Sequence, residues 1–197
     1  MTFTKTFGKT LFQVGCGAML LTSTAIATAA ELDLGLSNDA VRVGFQSQVP
    51  NRDLNWFGNY AHAEDAGNHF DLGILAKGRS NASTGLQEAG LGGKIIFLNG
   101  DSDVSGSGVA VGGFVAHRFA EANLLKFRGE LFYAPDIISF SDVDGYIELG
   151  LRLEYQLLDN ADIYAGYRMM EYDIEVGDVS GDLEVQDGLV VGFLLSF

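Results

Sequence analysis

From Val109 to Phe197 the chain alternates. Uncharged residues hold the odd positions: Val109, Val111, Gly113 and Val115, then Leu125, Phe127, Gly129, Leu131 and Tyr133. The rhythm resumes at Ile147, Leu149, Leu151, Leu153 and Tyr155, at Ile163, Ala165, Tyr167 and Met169, and at Leu189, Val191, Phe193, Leu195 and Phe197. The intervening even positions carry Arg118, Lys126, Arg128, Glu130, Glu148, Arg152, Glu154, Asp162 and Arg168. Successive side chains of a strand point to opposite faces, so a period of two predicts strands. The three- and four-residue spacing of a helix face is absent.

A noisier form of the same pattern runs upstream, through Leu32, Leu34 and Leu36, then Val41, Val43 and Phe45. Trp56 and Tyr60 follow, then Phe70, Leu72, Ile74 and Ala76, and Leu91, Gly93, Ile95 and Phe97. Ten strands are predicted, at about 31–37, 40–48, 54–62, 69–77, 87–98, 108–119, 124–134, 145–157, 162–173 and 184–197. A tilted strand crosses a bilayer in about 9–11 residues. The first two are shorter, and without them eight remain.

The connections sort by side. Ala120–Asn123 and Leu158–Ala161 are tight, whereas Asn99–Ser107, Pro135–Asp144 and Ile174–Leu183 are longer and rich in Asp, Gly and Ser. Short turns at one end and longer loops at the other are the asymmetry of an outer-membrane barrel. Gly78–Leu86 breaks it, a nine-residue link on the short side.

Alternation alone does not say which face is enclosed, since a soluble lipocalin-like barrel alternates too. Here one face is free of charge while the other mixes Arg and Glu with Gly and Ala. An Arg or Lys facing lipid at mid-bilayer costs about 2–4 kcal/mol, so the charged face belongs inside. Tyr133, Tyr155, Phe119 and Phe197 sit near strand ends, where aromatic rings favour a membrane–water boundary. The fold class expected is therefore all-β: an antiparallel transmembrane β-barrel of ten strands, or eight.

The N-terminus adds an address. Lys5 and Lys9 precede an apolar stretch from Leu11 to about Ile26 and then Ala27-Thr28-Ala29, the layout of a secretory signal peptide. Gln13, Gly15, Gly17 and several Thr interrupt the stretch, which falls short of the roughly 20 apolar residues of a spanning helix. The division expected is residues 1–30 as leader and 31–197 as one barrel domain. Cys16, the only cysteine, goes with the leader, so disulfide and thiol chemistry are not expected of the mature chain. Gln13 occupies the place where a lipoprotein signal needs an aliphatic residue.

Removing Lys5 and Lys9 takes the formal charge from −14 to −16. Such a chain is a poor partner for nucleic acid, whose phosphates are bound by Lys and Arg.

Candidate chemistry is sparse. Arg128, Glu130, Glu148, Arg152, Glu154 and Arg168 share the inward face, as a salt-bridge ladder that plugs the barrel or as the wall of a narrow selective pore. Small barrels are just wide enough for side chains to fill, which favours the plug. Asp101, Asp103, Asp136, Asp142, Asp144, Asp178 and Asp182 fall in outer loops. They make divalent cations, and through them lipopolysaccharide, conceivable partners, although no run has the ligand spacing of an EF-hand.

His62 and His69 flank Ala63–Asn68 beside Glu64, Asp65 and Asp71, the one place where a rim enzyme would be sought. The parity of His117 suits an interfacial position. No catalytic residue, metal or cofactor is expected. At the C-terminus Gly192, Phe193, Leu195 and a final Phe197 resemble the signal read by the outer-membrane barrel assembly machinery.

Gly129-Glu130-Leu131-Phe132-Tyr133-Ala134-Pro135-Asp136, followed by Ser139-Phe140-Ser141-Asp142, resembles the YfaZ family of outer-membrane proteins. Tyr146 and Glu148, Arg152 to Tyr155 and Gly166-Tyr167-Arg168 continue the likeness, which is clearest over about 108–197. The resemblance implies an exported protein of the Gram-negative outer membrane and transfers no catalytic residue. The function expected is that of a structural or surface-interacting barrel. The alternatives are a narrow passive channel and a lipid- or peptide-directed rim enzyme.

Overall fold

The computed structural model describes residues 29–64, 66–83, 85–100, 104–176 and 179–197. The expected leader with Cys16, apart from its last two residues, lies outside them, as do Asp65, Asp101, Asp103 and Asp178. The strands are β1 (Ala30–Leu36), β2 (Ala40–Gln48), β3 (Leu54–Ala63), β4 (Gly67–Ala82), β5 (Gly85–Asn99) and β6 (Ser105–Phe119). They continue as β7 (Leu125–Ala134), the short β8 (Ser139–Ser141), β9 (Val143–Leu158), β10 (Ala161–Val176) and β11 (Val179–Ser196).

Each strand except β8 pairs antiparallel with its neighbours, and β1 closes on β11 from Glu31↔Ser196 to Leu36↔Val191. β8 adds a rung to the end of β6. The result is a closed barrel of ten strands, not eight, with no open edge along its full circuit.

Alternation sets the two faces as expected. Outside, Leu72, Ile74, Leu91, Ile95, Val111, Val115, Leu131, Leu151, Leu153 and Val191 are all exposed and apolar. Aromatic rings border this belt. Tyr60, Phe70 and Phe97 lie in adjacent register on one side, while Trp56, Phe119 and Tyr155 lie on the other. Rings with one apolar and one wet side collect at the two levels where a bilayer meets water.

Two long hairpins depart from the expected strand bounds, and both do so outside the belt. β4 and β5 stay paired down to Ala82↔Gly85, so the expected link Gly78–Leu86 is mostly strand and the asymmetry of turns has no exception there. At the opposite end β10 and β11 stay paired up to Val176↔Val179, which replaces most of the expected loop Ile174–Leu183. Both segments are polar on the outward face, with Ser80 in the first and Glu171, Asp173 and Glu175 in the second. A strand standing clear of lipid needs no apolar outer side; Tyr172, Ile174 and Leu183 still turn inward to the core.

A register shift after Met170 bends the β10–β11 hairpin. A bulge of this kind kinks a strand and raises its twist. β11 also contacts β3, with which it does not pair. Val185 is buried, and Leu183 packs beside Gly100.

Candidate functional site: a layered barrel interior

The interior has three layers. At the loop end it is a compact plug: Tyr146, Tyr172, Met170, Ile96, Leu98 and Val143 are buried together. His69 lies among the rings, stacked on Tyr146 with centroids 5.8 Å apart. Its Nε2 is 3.0 Å from Asp71 Oδ2 and its Nδ1 is 2.5 Å from Tyr172 Oη. A carboxylate can only accept, so Nε2–H donates to Asp71, and in that tautomer Nδ1 accepts from the Tyr172 hydroxyl.

The middle layer is a continuous chain of ions crossing the bore. Arg152 Nε donates to Glu154 Oε1 (2.7 Å) and Arg152 Nη1 to Asp33 Oδ2 (2.8 Å). Asp33 also accepts from Tyr164 Oη (2.7 Å) and from Arg42 Nη1 (3.2 Å). Arg42 Nη2 donates to Asn59 Oδ1 (2.5 Å), and Asn59 Nδ2 to Asp71 Oδ1 (2.7 Å). Lys94 Nζ donates to Asp71 Oδ2 (3.0 Å), to Tyr146 Oη (3.1 Å) and to Glu148. Arg168 links Glu148 at 3.8 Å with Glu130 at 2.6 Å, and Arg128 reaches Glu130 at 3.6 Å.

Lys94, Asp71, Glu148 and Glu154 are almost fully buried. Each is tolerable there because it has an opposite charge within reach, and removing one partner would leave an uncompensated ion. The residual void in this layer is only about 50 Å³.

The third layer, at the end with the tight turns, is hollow. A cavity of about 660 Å³ opens there. Lys77, Arg79, Arg118, Lys126 and Arg128 line it from β4, β6 and β7, and Glu31, Gln46, Gln156, Asp162 and Ser196 from the other side.

The residues singled out by sequence fall as follows. Arg128, Glu130, Glu148, Arg152, Glu154 and Arg168 all point inward and take part in the ion chain. Asp33, Arg42, Asp71 and Lys94 complete it and were not foreseen. Their even–odd position opposite the apolar residues of β1, β2, β4 and β5 was the available signal.

The histidine cluster does not assemble. His69 and Asp71 are enclosed, whereas His62 faces outward and meets Asn68 Oδ1 at 3.1 Å. His62 and Asn68 are register partners, so the strand period puts His69 on the other face. His117 is half-buried and packs edge-on against Phe119 at 4.9 Å.

Among the outer acids, Asp142 accepts from Ser105 N (2.9 Å) and Asp136 from Ile137 N (2.7 Å). Asp182 instead joins Glu171 and Asp173 on the outer face of the β10–β11 hairpin, their oxygens within 4.8 Å of one another. Three hard oxygen donors at that spacing suit a divalent cation. So close together they also repel: partial burial and the carboxylates of Asp182, Asp173, Glu184 and Asp187 raise Glu171 above the ordinary carboxylate value. This part of the hairpin stands above the belt.

Gly192 has a local role. With Gly35 it makes the shallow surface across which the Tyr164 ring lies, and a methyl group at either position would collide with that ring. Phe193 and Leu195 pair with Leu34 and Leu32 on the outward side of the closing seam, and the Phe197 amide donates to Ala30 O (2.9 Å).

Residues 9–197 match the family model described as YfaZ precursor. No curated protein matches the chain. Among solved structures, the translocator domain of the autotransporter NalP from Neisseria meningitidis is similar at 14% identity and a TM-score of 0.27. That match covers 86% of this chain and 87% of that one.

Proposed function

The chain belongs to the YfaZ precursor family, and from that premise we propose that it is an integral protein of the bacterial outer membrane. In this reading the barrel is closed to solutes and acts as a structural and surface-interacting component of the envelope. It neither conducts nor catalyses. Residues 1–30 are the export leader and 31–197 the domain retained. The acidic β10–β11 hairpin faces outward among lipopolysaccharide headgroups, and the last strand, ending at Phe193, Leu195 and Phe197, is read by the assembly machinery. The tight turns face the periplasm.

The observation that carries this reading is the filled bore. An ion chain from Glu154 through Asp33, Asp71 and Lys94 to Glu130 lies beneath a plug of Tyr146, Tyr172 and Met170. An ion entering from either end would have to break buried pairs that cost several kcal/mol each to separate. Planar-bilayer recording tests it: the purified barrel is expected to insert without steady conductance. Stable, voltage-independent unitary currents from the unmodified chain would overturn the reading in favour of a channel.

A further inference from the structure

The hollow third layer carries its cations on the β4–β7 side, where Arg79 pairs with Glu88, Lys126 with Glu154 and Arg128 with Glu130. Lys77 and Arg118 form no ion pair among the described residues. On the β4–β7 side, Lys77 has no carboxylate within 4 Å among the described residues, and its Nζ sits 5.2 Å from the Phe114 ring centroid. Arg118 spends one nitrogen on neutral acceptors, Asn123 O (2.9 Å) and Gln156 Oε1 (3.0 Å). Arg128 lies on the other side of the same cavity wall, 3.9 Å from the Phe114 centroid, and its Nε finds no hydrogen-bond acceptor.

Lys77 and Arg118 thus stand without an ion pair among the described residues, in a chain with a formal charge of −14. Their counterparts, Glu31 on β1 and Asp162 on β10, line the same cavity and form no ion pair among the described residues. The other inward ions pair off one layer deeper, where Arg152, Asp33 and Arg42 meet directly. Here the two walls stand apart across open space.

We propose that this blind vestibule is a binding site for a short zwitterionic ligand, a peptide of a few residues, entering from the tight-turn end. Its terminal carboxylate would sit at Lys77 and Arg118 and its ammonium at Glu31 and Asp162. The volume of about 660 Å³ lies in the range of small-molecule sites, roughly 300–1,000 Å³. Charge-assisted hydrogen bonds are about twice as strong as neutral ones, so the unpaired guanidinium and ammonium groups select a carboxylate. The acidic wall rejects simple polyanions. The closed floor makes the site a receptor rather than a passage. The proposal rests on the reading above for the closed floor and for the compartment from which the ligand comes, and not for the binding itself.

Titration calorimetry on the refolded, detergent-solubilised chain with the tripeptide alanyl-alanyl-glutamate tests it. Saturable one-to-one binding is expected. Lys77→Gln and Arg118→Gln should each weaken it at least tenfold at low salt, and Glu31→Gln or N-acetylation of the peptide by a smaller factor. All three variants should keep the gel shift between unheated and boiled samples, because none of these residues belongs to the ion chain. Absence of saturable heat, equal affinity for the C-terminally amidated alanyl-alanyl-alanine, or binding indifferent to both Lys77→Gln and Arg118→Gln would each overturn the site. A conducting barrel would remove the closed-barrel reading and leave this titration as it stands, so the two failures are distinguishable.

Discussion

The two ends of the bore obey the same alternation and yet are opposites. At the loop end the inward positions carry rings and compact apolar groups, Tyr146, Tyr172, His69, Ile96 and Met170, which meet across the barrel and leave no room. At the turn end they carry Lys77, Arg79, Arg118, Gln46 and Gln156, long flexible chains that stay near their own walls and surround a cavity. Strand period decides which residues face inward. Their size and stiffness decide whether the interior is a plug or a vessel.

The contrast can be broken most forcefully between the two ends, in the ion chain. Lys94→Met leaves Asp71 and Glu148 facing each other without their shared cation. A loss of about 3–5 kcal/mol is expected, since breaking a buried pair strands a charge. It should appear as a lower urea midpoint for the barrel refolded in micelles.

A charge on the lipid side comes next. Leu151→Arg places a guanidinium in the middle of the apolar belt and should cost about 2–4 kcal/mol in the same assay performed in bilayers. In detergent micelles the penalty should shrink.

Tyr172→Phe probes the plug without emptying it. The ring remains, but His69 Nδ1 loses its donor, for an expected cost of about 1–3 kcal/mol. At the hollow end Lys77→Gln should change the urea midpoint little, within about 0.5 kcal/mol, as for substitutions away from buried networks. An equal loss at Lys77 and Lys94 would erase the distinction between vessel and plug.

The smallest effect expected is at the acidic hairpin. The folded state holds Glu171 above its ordinary carboxylate value, so the folded chain binds more protons there than the unfolded one. Stability contributed by this group is therefore present at low pH and is lost as pH rises through the raised value. Hydrogen exchange in β10–β11 should speed up over that interval, and Glu171→Gln should flatten the dependence.

Much of this was legible in the sequence, and the omissions share a cause. Val109–Val115 or Ile147–Tyr155 announce a strand because one face meets lipid and the other does not. Gly78–Ala82 and Ile174–Val176 lack an apolar outward face, being strands clear of lipid, and so read as loops. His62 and His69 looked like neighbours because they are close in number, although the odd interval across a hairpin sends them to opposite faces. Asp33, Arg42, Asp71 and Lys94 stand among glycines in the noisier half, where single charges do not look like a network until the strands are closed into a ring. Which inward charges meet and which stay apart depends on reach across the bore, and no one-dimensional pattern carries that.

Trp56 tests directly whether the apolar belt lies against acyl chains. It is the only tryptophan, it faces outward, and it packs against Phe45 at 5.0 Å near the turn-end border of the belt. In proteoliposomes containing brominated acyl chains its fluorescence should be strongly quenched, with aqueous iodide having little effect. Strong quenching by iodide with none by brominated lipid would mean that the apolar face does not meet the membrane.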